Sequence, residues 1–220
     1  MRGRWDLIGT IVGYIVLGLS IAAPVGPINV EMINRGMRYG FWPAFLVGCG
    51  GMTSDILLMA LMFVGLSNVL LIGWVNVVLL ILGCFVLLHS GCVNLLNAQQ
   101  EPLDVTRDSH HRKALLTSYA TGLTIAATNP MNLLFWLSIY GSVLSDVLLS
   151  NEPGRSFLLS SLVFVGIGLW NLHVALSIHF GRRIMNRFVM RSIRVVASCV
   201  LLYYGLKFGV QACNEMGMLF

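Results

Sequence analysis

Charge is what this sequence lacks. Asp, Glu, Lys and Arg together make up 10% of its 220 residues, and 57% are apolar. A soluble domain carries about 25% charged residues, so a water-facing surface of ordinary chemistry is excluded. The charges present are also confined. Between Arg38 and Glu101 the only formal charge is Asp55, and the stretches Asp6–Glu31, Lys113–Asp146 and Arg155–Arg182 carry none inside their ends. Cysteine is equally sparse. Cys49, Cys84, Cys92, Cys199 and Cys213 form no C-x-x-C and no zinc-finger spacing with histidine, so they read as small core residues rather than ligands or redox pairs. Neither an Arg/aromatic stripe nor a nucleic-acid motif accompanies the net charge of +5, which therefore reflects loop composition and not a nucleic-acid partner.

What is present instead is a series of long apolar runs. A hydrocarbon core of about 30 Å needs roughly 20 apolar residues per helix, and the chain supplies six such runs: about 7–33, 42–66, 69–90, 114–145, 157–179 and 194–213. The expected fold is an all-α integral membrane protein, embedded in the lipid bilayer, with one transmembrane domain over 1–220. Ser67-Asn68 and Glu152–Arg155 read as tight turns, and the polar stretch Asn94–Lys113 as the longest loop. The N-terminal run Leu7–Ala23 behind Arg2 and Arg4 has the shape of a secretory signal with cleavage near Ala22. Similar runs continue through the chain, so it reads as the first span.

Placing both termini outside puts Arg35, Arg38, Arg107, Arg112, Lys113, Arg182, Arg183, Arg187, Arg191 and Arg194 in inside loops. Only Arg2, Arg4, Arg155 and Lys207 then lie outside, the bias that sets topology in membranes. Arg2 and Arg4 argue locally for the opposite orientation.

The first span contains a phrase hostile to a membrane helix: Ser20-Ile-Ala-Ala-Pro24-Val-Gly26-Pro27-Ile-Asn29-Val-Glu31. The fourth repeats it with one residue fewer, as Ile125-Ala-Ala-Thr-Asn129-Pro130-Met-Asn132. Three spans separate the copies, so they cross the membrane in opposite directions. That is the pattern of an inverted 3+3 repeat with halves of about 1–93 and 112–213 and with broken first and fourth helices. Proline removes an amide and displaces a carbonyl, and broken backbone survives in a bilayer only where protein or a water-filled cavity covers it. Pro24, Gly26, Pro27, Asn29, Asn129, Pro130 and Asn132 are therefore the candidate substrate-binding residues: each half-helix end offers free N–H groups and a positive dipole to an anion. The alternative is a pair of proline kinks closed by Asn29 and Asn132.

Asp55 lies mid-span behind Gly48, Gly50 and Gly51. An intramembrane carboxylate marks a functional site by default: it binds a substrate ammonium or carries a coupling proton, or else it is a structural acid hydrogen-bonded to a nearby Ser or Asn. Glu31 fits the same roles, or pairs with Arg35 at the interface. Asn171 and His173 in the fifth span form a candidate proton relay, against a purely structural His beside Trp170.

These residues together resemble the lysine-exporter (LysE/RhtB-type) amino-acid translocators. The resemblance rests on Pro24-x-Gly-Pro-x-Asn29, Gly-x4-Asp55, Gly83–Gly91, Asn129-Pro130 and Ile193-Arg-x8-Tyr-Tyr-Gly-Leu206, in order along nearly the whole chain. Many members have Lys after the helix-four proline, where this chain has Met131. Val25 separates Pro24 from Gly26, as in exporters of basic amino acids. The resemblance implies export of an amino acid or similar small metabolite across the bacterial cytoplasmic (inner) membrane, driven by an ion gradient, with no cofactor and no enzymatic step. The competing readings are an inorganic-cation (heavy-metal) exporter using Asp55 and Glu31, and a transmembrane thiol-redox enzyme, which lacks the paired cysteines it needs. A homodimer is a candidate assembly.

Overall fold

The computed structural model describes residues 2–24, 26–63, 73–99, 108–129, 132, 136 and 161–219. Among these residues the chain is all helical, with seven α-helices, one short 3-10 turn and no strand. They are α1 (Arg2–Ala22), α2 (Pro27–Tyr39), α3 (Phe41–Phe63), α4 (Gly73–Leu96), the 3-10 turn Asn97–Gln99, α5 (Asp108–Ala127), α6 (Val163–Ile184) and α7 (Arg187–Leu219). α3, α4, α6 and α7 are each long and apolar enough to cross a membrane. α1 and α2 pass that test only as a pair, bent by 75° at the break between them.

Local sequence explains the ends. Pro27 occupies the first position of α2, where its missing amide costs nothing, behind an extended Gly26 (φ −114°, ψ −178°). Gly40 closes α2 with φ +97°, donating its amide to the Gly36 carbonyl at 2.9 Å, and α3 begins at the next residue. A side chain is strained at that φ, and one at Gly40 would also meet the Arg182 guanidinium. Asn186 caps α7, its Oδ1 accepting from the Val189 amide at 2.8 Å.

The helices outrun the apolar stretches. α4 runs to Leu96 and α5 starts at Asp108, so both ends of the expected Asn94–Lys113 loop are helical. α6 reaches Ile184, and α7 spans Arg187–Leu219 instead of 194–213. Backbone hydrogen bonding continues past the apolar boundary wherever a cap and good helix formers permit. The cysteines depart in part from the core expectation: all five are free thiols, but Cys92, Cys199 and Cys213 are exposed, while Cys49 and Cys84 are half-buried. The two expected tight turns lie outside the described residues.

α2 is the centre of the bundle. Met32 packs with Ala44 and Val47 of α3 and Ala175 and Ile178 of α6. Val30 packs with Leu80 and Leu87 of α4, Ile125 of α5, and Leu201 and Phe208 of α7. The break before α2 is not packed shut: Pro24 is exposed, a Cβ on Gly26 would meet nothing within 4 Å, and both residues line a cavity, one of the two settings in which broken backbone is tolerated at membrane depth. The outer surface is apolar, with Phe85 of α4 70% exposed and Tyr203 of α7 63% exposed.

Lipid tails are as apolar as Leu, so close packing and small residues hold such helices together. At the α1–α6 crossing, a Cβ on Gly18 would strike the Val163 carbonyl, and one on Gly166 would strike the Ile15 carbonyl and the Leu19 amide. At the α3–α5 crossing, a Cβ on Gly122 would strike the Val47 carbonyl, and one on Gly50 the Tyr119 carbonyl and the Leu123 amide.

Candidate functional site

The break between α1 and α2 leaves carbonyls at the end of α1 without helical partners. Asn29, in the first turn of α2, reaches back to them: its amide donates to the Ala22 carbonyl at 3.1 Å and to the Pro24 carbonyl at 3.0 Å. Its Oδ1 accepts from the Trp170 indole N–H of α6 at 3.4 Å. After α5 ends at Ala127, Asn132 makes a contact of the same kind, its amide lying 3.5 Å from the Ala126 carbonyl. The same amide donates to Asp55 Oδ1 at 2.6 Å, and the Trp136 indole is a second donor to that carboxylate. Asp55 is 8% exposed.

These groups surround one cavity of about 150 Å³, below the range of roughly 300–1,000 Å³ typical of drug-sized ligands. Pro24, Gly26, Pro27 and Asn29 line it from the first break, Asn129 and Asn132 from the second, Asp55 from α3 and Asn171 from α6. Pro130 lies outside the described residues. The first turn of α2 opens here. Its initial amides have no partner within the helix, and the end carries roughly half a positive elementary charge. Gly48 lines the same wall, and its lack of a side chain makes room for Asn171, whose Cγ would lie 2.6 Å from a Cβ there.

Glu31 stands apart from the cavity. Fully buried, it pairs with Arg35 (Oε1–Nε 2.9 Å) and accepts from the Asn94 amide of α4 at 2.6 Å. The Arg35 guanidinium continues to Thr121 (3.0 Å), Thr117 (3.3 Å) and Ser118 (3.5 Å) of α5. One ion pair on α2 thereby ties three helices together. His173 is exposed and lies against Trp170, with ring centroids 5.8 Å apart. It lines no part of the cavity.

Trp136 was not among the residues expected from sequence, and Gly48 was singled out only as one of three glycines preceding Asp55. Trp136 follows Asn132 by four positions and so shares its helix face, a signal available in the sequence. That Gly48 makes room for Asn171, on another helix, carries no signal in the sequence.

The model of the family described as "LysE type translocator" matches residues 19–212. The chain belongs to that family. It is 36% identical over 203 residues, covering 92% of this chain and 96% of the relative, to the protein of Bacillus subtilis (strain 168) named "Putative amino acid efflux protein YcgF". No solved structure matches the chain. As a LysE-type translocator whose described residues are all helical with an apolar outer surface, the protein is a multi-pass membrane translocator.

Proposed function

We propose that this translocator exports an amino acid across the bacterial cytoplasmic membrane by ion-coupled alternating access. The substrate carboxylate sits at the half-helix end near Gly26–Asn29, and its ammonium faces Asp55, beside the second break at Asn129–Asn132, whose Asn132 already donates to the Asp55 carboxylate. The observation that carries this reading is the shared cavity: two helix breaks and one intramembrane carboxylate line the same 150 Å³. A zwitterion presents a positive and a negative group to those two features.

An inverted repeat accounts for the geometry. Gly18, Ile15, Leu19 and Ala22 in α1 correspond to Gly122, Tyr119, Leu123 and Ala126 in α5 at the offset of the repeated phrase. Val47 and Gly50 in α3 correspond to Val163 and Gly166 in α6 at another constant offset. The α1–α6 and α3–α5 crossings use these corresponding atoms, and Asn29 and Asn132 reach corresponding carbonyls. Such symmetry supports a rocking exchange between two states.

The orientation has both termini outside. Arg35, Arg182 and Arg194 meet α5, the α2–α3 corner and the end of α4 respectively, which gathers the basic residues at one end of the bundle, as a cytoplasmic face requires. The Glu31–Arg35 network then lies on the cytoplasmic side of the cavity, and its ties across α2, α4 and α5 close that side in this state.

A cation exporter is less well supported, because Asp55 faces amide and indole donors and both Glu31 oxygens are already engaged. Growth of cells expressing the protein on toxic amino-acid analogues tests the proposal. Tolerance should rise, and Asp55→Asn should abolish the gain. Tolerance to cadmium alone would overturn it.

A further inference from the structure

The repeat that relates Val47 to Val163 and Gly50 to Gly166 also relates Asp55 to Asn171. Two corresponding positions thus line the same cavity, one bearing a carboxylate on α3 and the other an amide that packs against Gly48, two turns away on that helix. Their surroundings differ. Asp55 is met by Asn132 and Trp136. Asn171 is 5% exposed, yet among the described residues nothing hydrogen-bonds its side chain. Its amide is not sealed in protein but opens on the cavity, where a ligand can supply the partner that polar groups in protein interiors nearly always have. Gly48 makes the space for it, and the neighbouring Trp170 ties this part of α6 to the first turn of α2.

We propose that Asn171 is a substrate ligand: with the free amides at the head of α2 it holds the substrate carboxylate, while Asp55 holds the ammonium. This rests on the amino-acid reading above and assigns the cavity a direction. The other side-chain amides lining the cavity are engaged, Asn29 with the carbonyls of Ala22 and Pro24, Asn132 with Asp55, and Asn129 with a contact of its own. Asp55 repels a carboxylate from its own wall, whereas the α2 terminus and the Asn171 donor attract one. The difference between Asp and Asn at corresponding positions therefore orients a zwitterion that a symmetric cavity would accept either way round.

The test is thermal stabilisation of the purified full chain in detergent by each proteinogenic L-amino acid and by the α-amide of each, which keeps the ammonium and removes the carboxylate charge. Wild type should bind its preferred amino acid roughly tenfold or more tighter than the amide, the value of a charge-assisted hydrogen bond. Asn171→Ala should erase that preference, and Asn171→Asp should reverse it by favouring the cationic amide. If Asn171→Asp does not fold, Asn171→Ala alone decides. An unchanged preference in the folded variants overturns the assignment, even where Asp55→Asn still abolishes binding. No stabilisation of the wild type by any amino acid sinks the exporter reading itself, and this inference with it.

Discussion

Replacing Asn29 with Ala removes the donor that closes the first break. Three hydrogen bonds are lost: the two to the Ala22 and Pro24 carbonyls, at 3.1 and 3.0 Å and within the ordinary range for N–H···O, and the longer one accepted from the Trp170 indole at 3.4 Å. Each abandoned carbonyl costs about 1–3 kcal/mol if it stays dry. Both lie against the cavity, where Ala22 and Pro24 line the wall, so water can replace part of what is lost. A net destabilisation of about 2 kcal/mol follows, or a fall in Tm of roughly 4–8 °C at the 2–4 °C per kcal/mol of a chain this size. Asn29→Asp should be worse than Ala, since it turns an acceptor toward two carbonyls. The assay is a thermal melt of purified protein in detergent. An unchanged Tm for Asn29→Ala, or an Asp variant as stable as wild type, would show that the break is held by something other than this side chain.

Two further perturbations probe the packing around the site. Arg35→Met leaves Glu31 buried without its cation and should cost about 3–5 kcal/mol. Arg35→Met with Glu31→Gln should recover part of that in the same melt, and absence of recovery would contradict the pairing. Gly122→Val and Gly166→Val should lower the Tm by similar amounts, because each drives a side chain into the backbone of a corresponding crossing helix. A large loss for one and none for the other would argue against related crossings.

The break at Pro24–Pro27 was legible because proline and glycine act locally: Pro27 starts a helix wherever it is placed well. Asp55 was legible because a single charge in an apolar run has no local reason to be there. The sequence also pointed to Asn132, through its phrase. It did not disclose that Asn132 meets Asp55, since that pairing depends on how α3 crosses α5. Glu31 could be read as a site residue or as the partner of Arg35. The structure pairs it with Arg35 and adds Asn94 and three hydroxyls of α5, a set scattered along the chain with no common motif. Helix ends were misjudged for a simple reason: hydropathy reports where the hydrocarbon ends, and hydrogen bonding reports where the helix ends.

A structure of the protein determined with a transported amino acid bound tests the central claim most directly. The account predicts density between the first turn of α2 and Asp55, with the ammonium at hydrogen-bonding distance, about 2.7–3.2 Å, from the Asp55 carboxylate. Density beside Glu31, or in the apolar groove between α2 and α7 lined by Val30, Ile33 and Val196, would contradict it.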